Sequence, residues 1–188
     1  MERLCVFCGS SAGVDPALLE EAGQLGATLA ARGIGVVYGG GRLGLMGALA
    51  DGALAAGGSV TGVIPRALLD REQAHRSLTE LRVVTTMHQR KATMAELADA
   101  FVALPGGFGT LEELFEVVTW AQLGFHHKPV GLVNRGGFYD GLVAQLDTAA
   151  RAGFIQPDNL GLLLVDDNVE RLLRRLSEAR ERLLTASG

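Results

Sequence analysis

The run Leu104-Pro105-Gly106-Gly107-Phe108-Gly109-Thr110-Leu111-Glu112-Glu113 lies between a short apolar segment, residues 100–104, and an amphipathic one, residues 114–123. In order, these read as a strand, a glycine turn and a helix. A helix that starts on such a turn directs several unpaired backbone N–H groups at one spot, and its aligned peptide dipoles favour an anion there. Glycines at 106, 107 and 109 let the backbone approach a ligand more closely than a Cβ would permit. Two carboxylates follow within one helical turn. Space for a phosphate beside acid/base groups predicts a nucleotide enzyme.

The same strand–turn–helix order recurs on both sides of this stretch. Apolar strand-like runs are expected at residues 4–8, 34–38, 60–64, 81–84, 100–104, 130–133 and 162–165. Helices are expected at residues 16–32, 45–56, 86–99, 110–123, 138–152 and 169–184. Asp15 is placed to cap the first of these, with Pro16 at its first position. Residues 66–80 are polar and aperiodic and read as a connection or a short helix. Continuously apolar strands, each separated by a helix, predict a Rossmann-like, doubly wound, mainly parallel sheet with helices on both faces. Ligands of such sheets bind beyond the carboxyl ends of the strands. Glycine-rich turns at 9–13, 39–44 and 106–109 all follow strands, so all three can line one crevice.

Composition narrows the function classes. A chain of 188 residues can bury a full core, and residues 1–188 are expected to form a single domain. The net charge of −4 gives no electrostatic case for nucleic-acid binding, and aromatic residues at 5% offer no stacking surface for single strands. No apolar run approaches a membrane span, and the first residues lack a signal-peptide layout, so the expected location is cytoplasmic. Cys5 and Cys8 form a C-x-x-C without a second pair at finger-like spacing. Three apart on a strand, they point to opposite faces and are expected to be unpaired thiols. His126-His127 reads as a solvated helix-to-strand connection rather than a metal site. Phe115, Trp120 and Phe125 read as core or subunit-interface packing.

Four motifs carry candidate chemistry. Residues 39–44 satisfy G-x-G-x-x-G, but the next strand ends in Ile64-Pro65-Arg66 with no acid to hold a ribose, which argues against NAD. Gly41 and Gly44 remain candidates for a phosphate or ribose contact, with tight packing as the alternative. Thr86 and Gln89 fit a capping box, which puts Arg90 and Lys91 in the first turns of a helix. Cations there oppose the helix dipole and lie beside an apolar face that includes Met87 and Met94. That arrangement points to an anionic partner, either phosphate or a carboxylate, rather than to snorkelling side chains. Thr110 and Glu113 also fit a capping box, so Glu113 has two readings: a helix cap or an active carboxylate.

Residues 105–113 resemble the P-G-G-x-G-T-x-x-E signature of the cytokinin riboside 5′-monophosphate phosphoribohydrolases, and residues 87–91 resemble their M-H-x-R-K segment. Cys8-Gly9-Ser10-Ser11 and the Gly39–Gly47 region are similar as well, so the likeness spans nearly the whole chain. The resemblance implies cleavage of the N-glycosidic bond of N6-modified adenosine monophosphates, and of AMP, to free base and ribose 5-phosphate. It implies Glu113 and Arg90 as the catalytic pair. Gly106, Gly107, Phe108, Gly109, Thr110, Leu111 and Glu112 would line the phosphate turn. Gly9, Ser10, Gly41, Gly44, Met87, Lys91, Thr119 and, on a less alignable connection, Glu72 would be further substrate contacts. No metal or organic cofactor is implied, and a homodimer or larger homo-oligomer is. Members of this family have been labelled lysine decarboxylases. Such chemistry uses pyridoxal phosphate on a lysine, and this chain has only Lys91, inside the M-H-x-R-K segment, and Lys128 before Pro129. The alternative on the same fold is a non-catalytic nucleotide- or cofactor-binding module.

Overall fold

The computed structural model describes residues 1–11 and 14–186; the Ala12–Gly13 part of the first glycine turn lies outside them. Seven strands form one sheet: β1 (Arg3–Phe7), β2 (Gly35–Tyr38), β3 (Val60–Pro65), β4 (Glu80–Val84), β5 (Ala100–Ala103), β6 (Val130–Val133) and β7 (Leu163–Asp166). Their order is β4-β3-β2-β1-β5-β6-β7, and every pairing is parallel. The helices are α1 (Pro16–Ala31), α2 (Gly44–Ala55), α3 (Met87–Leu97), α4 (Phe108–Gln122), α5 (Asp140–Arg151), the single-turn α6 (Pro157–Leu160) and α7 (Val169–Ala186).

Strands sandwiched by helices must be apolar on both faces, and these are. On one face Leu4, Val6, Val36, Tyr38 and Val102 pack against Leu25 and Leu29 of α1, Leu49 of α2 and Leu172 and Leu176 of α7. On the other, Cys5, Phe7, Val37, Phe101 and Leu132 pack against Met94 of α3 and Leu114 and Val117 of α4. Cys5 and Cys8 fall in opposite layers, and both are free and buried. Asp15 caps α1 as its position predicts, accepting from the Ala17 amide at 2.9 Å with Pro16 as the first helical residue.

Chain direction across the sheet reverses at β1. The chain runs outward from β1 to β4, then returns to lay β5 against β1 on the other side and continues to β7. The chain leaves β1 for α1 on one face of the sheet and β5 for α4 on the other, and such a switch point is where open parallel sheets bind ligands. The turns after β1 and β5 meet there, with the Gly9 amide donating to Pro105 O at 3.0 Å.

One expected boundary is wrong in an informative way. Helix α4 starts at Phe108, with Gly107 as its N-cap in extended backbone (φ −98°, ψ −153°). Thr110 is therefore inside the helix, buried, and the predicted Thr110–Glu113 capping box does not form. Local sequence favoured Thr110 as a cap, but a packed Thr110 over Gly106 holds the helix open one turn earlier. The Thr86 cap does form, accepting from the Gln89 amide at 3.1 Å, while Gln89 Oε1 returns to the Thr85 amide at 2.9 Å. The 66–80 connection contains a short 3-10 turn, Arg66–Leu68, and α6 had no counterpart in the sequence reading.

Candidate active site

The switch-point crevice is a cleft of about 340 Å³, within the usual range for small-ligand sites. Its floor is the start of α4. Among the described residues no side chain caps that helix, and the first backbone bond of the turn is Leu111 N–H to Gly107 O at 3.1 Å. The amides of residues 108–110 thus keep the anion-attracting character of an uncapped helix N-terminus. The two sorts of glycine in the turn serve different ends. A Cβ at Gly106 would collide with the Thr110 side chain and come within 3.0 Å of Gly9 N. At Gly107 and Gly109 a Cβ would meet nothing within 4 Å among the described residues, so their packing does not require glycine there. The open space above them is part of the cleft.

Glu113 projects into this cleft from the second turn of α4. Among the described residues no group hydrogen-bonds its carboxylate, and protein atoms surround most of it. Burial pushes its pKa up from 4.5 to about 7; the Arg90 charge opposes that rise, and Glu112 and Glu72 add to it. A carboxyl titrating near neutrality is suited to acid/base work.

Arg90 reaches the same cleft from α3 and is buried. Its Nε donates to Val63 O at 3.1 Å, and Nη2 donates to Gly39 O at 2.8 Å. Both Glu72 oxygens accept from it, Oε2 from Nη2 at 2.9 Å and Oε1 from Nη1 at 3.3 Å. Those bonds use four of the five guanidinium N–H groups, and the fifth, on Nη1, donates to Met87 Sδ at 3.9 Å. The anionic partner that the sequence demanded for Arg90 is thus a carboxylate 18 residues away. Lys91 has two: it pairs with Glu112 and with Glu116, the latter at 3.0 Å. Burial works to lower the Lys91 pKa, but the hydrogen bonds to Glu112 and Glu116 outweigh it and hold the ammonium above its ordinary value.

Of the residues singled out from sequence, Gly9, Ser10, Glu72, Met87, Arg90, Gly107, Phe108, Gly109, Thr110, Glu112 and Glu113 line the cleft together. The others do not. Lys91 sits behind Glu112, Gly106 beneath the turn, Leu111 against the core, and Thr119 on the exposed side of α4. Gly41 and Gly44 serve packing: Gly41 bridges to Ala74, and a Cβ on Gly44 (φ +59°) would press on the Ser10–Ser11 backbone. Cys8, Ser11, Met46 and Leu68 also line the cleft but were not named as contacts. Cys8, Ser11 and Met46 lay inside the recognisable segments; Leu68, on the aperiodic connection, carried no signal. Burial, then the Glu113 charge, push the Cys8 thiol well above its ordinary range, so it forms a neutral wall rather than a nucleophile.

Fold and cleft together define a Rossmann-like α/β protein whose switch-point cleft opens on the N-terminus of α4. Solved structures agree on the fold: a molybdenum cofactor binding protein from Rippkaea orientalis matches with a TM-score of 0.70 at 21% identity, covering 94% of this chain and 96% of that one. The molybdenum cofactor carrier protein of Chlamydomonas reinhardtii matches with a TM-score of 0.67 at 22% identity, over 95% and 97% of the two chains. A family model described as "Possible lysine decarboxylase" matches residues 46–176. Sequence relatives are much nearer. The Arabidopsis thaliana cytokinin riboside 5′-monophosphate phosphoribohydrolase LOG7 is 51% identical over 177 residues, 94% of this chain and 82% of the relative. The Oryza sativa cytokinin riboside 5′-monophosphate phosphoribohydrolase LOG is 48% identical over 176 residues, 94% and 73% of the two. The chain belongs to the cytokinin riboside 5′-monophosphate phosphoribohydrolase family. The residues present do not fit pyridoxal phosphate: Lys91 is held by two carboxylates, and Lys128 lies outside the cleft, its Nζ donating to Ala95 O at 2.7 Å.

Proposed function

We propose that the protein hydrolyses the N-glycosidic bond of N6-modified adenosine 5′-monophosphates, and of AMP, releasing free base and ribose 5-phosphate. One observation carries this reading: an uncapped helix N-terminus and an unpartnered, half-buried carboxyl on the same helix open into one cleft. The amides of residues 108–110, with Ser10 at the facing turn, receive the 5′-phosphate. That fixes C1′ of the ribose within reach of Glu113. As the C1′–N bond breaks, its electron pair leaves with the base and the sugar takes on oxocarbenium character. Ionised Glu113 stabilises that charge and accepts a proton from the water whose oxygen bonds to C1′; the departing base nitrogen collects a proton in turn. Arg90, locked by Glu72 and two carbonyls, opposes by its charge the rise that burial causes, so that ionised Glu113 is populated as the pH passes neutrality.

The same reading takes residues 1–188 as one domain, located in the cytoplasm, where two free thiols stay reduced. The net charge of −4 supports a small-molecule rather than a nucleic-acid partner. Among the described residues no helix is long and apolar enough to cross a membrane. Assembly into a homodimer or larger oligomer is supported by apolar side chains left uncovered on and just beyond α4: Phe108 is 93% exposed, Leu123 58% and Phe125 74%.

The experiment offers purified protein AMP, N6-isopentenyl-AMP and the matching riboside and follows release of free base. Monophosphates are cleaved and the riboside is nearly inert, because it lacks the group that the α4 N-terminus receives. Equal turnover of riboside and monophosphate would defeat the phosphate assignment, and no release from any of them would favour a binding module.

A further inference from the structure

Residues 66–79, which join β3 to β4 and begin with the 3-10 turn, contribute Leu68 and Glu72 to the wall of the cleft. Its apolar anchor is Leu78, near β4, which packs against the core over Gly62. Around Glu72 it is tied to the glycine loop after β2: Arg42 N donates to Glu72 O at 3.2 Å and to Gln73 O at 3.0 Å, and His75 N donates to Gly40 O at 2.9 Å. Between those ties Gln73 adopts a left-handed backbone (φ 46°), a conformation that L side chains rarely take without support from their surroundings.

The support is a polar group in an interior position. His75 is 3% exposed, and both ring nitrogens are engaged. Nδ1 accepts from the Ser77 amide at 3.3 Å, which places the ring proton on Nε2, and Nε2 donates to Asp51 Oδ1 of α2 at 2.9 Å. Asp51 itself stands 62% exposed on the outer side of α2. An apolar side chain would fill the interior position without the cost of burying an imidazole. What the histidine adds is direction: it fixes the segment to α2 three residues beyond Glu72.

We propose that His75 and Asp51 form a latch that positions Glu72 against Arg90, making His75 a positioning residue for the hydrolysis assigned above. The proposal rests on that assignment for its kinetic readout only. With the latch closed, Glu72 binds the guanidinium through both oxygens, and Arg90 is held where its charge acts on Glu113. With it open, Glu72 drifts and the arginine is free to rotate out of register.

Asp51→Ala removes the latch from an exposed position, where a merely structural role would leave the kinetics of the folded enzyme untouched. The expected result is a loss in kcat/KM of about tenfold or more, at a thermal midpoint close to wild type, because small misplacements of catalytic groups have large kinetic effects. Asp51→Asn keeps an acceptor oxygen and restores most of the rate. Adding Asp51→Ala to Glu72→Gln costs nothing further, since both act through the same pair. Full activity in Asp51→Ala, or losses that multiply in the double variant, overturn the proposal. A second readout needs no catalysis: Arg66, Arg71 and Arg76 are exposed on the segment, and trypsin nicks it faster in Asp51→Ala than in wild type. Unchanged nicking also overturns the latch. If wild-type protein releases no base, the functional assignment fails, while the trypsin comparison still decides the latch.

Discussion

Glu113→Gln separates a buried catalytic carboxyl from every structural alternative, and its effect on stability can be worked out in advance. Burial pushes the native pKa up to about 7 from 4.5 in the unfolded chain. Between those two values the unfolded chain releases the proton while the native state keeps it, so stability falls as pH rises through that window. The difference, about 7 less 4.5, is roughly 2.5 units, and at about 1.4 kcal/mol per unit the full effect is about 3.5 kcal/mol. Most of it develops between about pH 5 and pH 8. Glutamine has the same shape and no charge, so the variant escapes this loss. In urea unfolding followed by circular dichroism, Glu113→Gln is expected to gain about 2–3 kcal/mol on wild type when the pH is raised from about 5 to about 8. Base release from the monophosphate falls by about 10²–10⁴-fold in the same protein. A variant more stable and nearly dead is the signature of a functional group held at the fold's expense. Near-full activity would refute the catalytic assignment. A stability difference that does not change with pH would refute the burial from which the raised pKa follows.

Other expectations follow from the glycines around the site. Gly106→Ala forces a Cβ into Thr110 and should lower stability by about 1–3 kcal/mol, read as a drop in melting temperature. Gly107→Ala meets no protein atom, so it should melt like wild type yet show a raised KM for monophosphates; an unchanged KM would remove the ligand from that space. Gly39→Ala would drive a Cβ into the Arg90 guanidinium, and a large fall in kcat with a folded circular dichroism spectrum is expected. If Gly39→Ala keeps its rate, the position of Arg90 does not matter to the chemistry.

Much of this was legible in the order of residues. Continuous apolar runs alternating with amphipathic ones specify a parallel sheet covered on both faces, because each run must be buried on both sides. Asp15-Pro16 and Thr86-Gln89 marked helix starts correctly, since capping involves groups a few residues apart. The opposite facing of Cys5 and Cys8 follows from the period of a strand. Even the need of Arg90 for an anionic partner was visible, as a cation misplaced against a helix dipole beside an apolar face.

What stayed hidden depends on contacts between residues far apart in the chain. Nothing local names Glu72 as the partner of Arg90 or Glu116 as a partner of Lys91; those pairings exist because α3 and α4 and the 66–79 segment converge on one crevice. The start of α4 is the sharpest case. Residues 110–113 spell a helix cap, but Thr110 is worth more packed over Gly106, so the helix begins on Gly107 and leaves its first amides open. That shift turns Glu113 from a cap into a carboxyl facing the cleft. Short-range preference set which residues were candidates, and the strand order that brings β1 beside β5 set which of them meet.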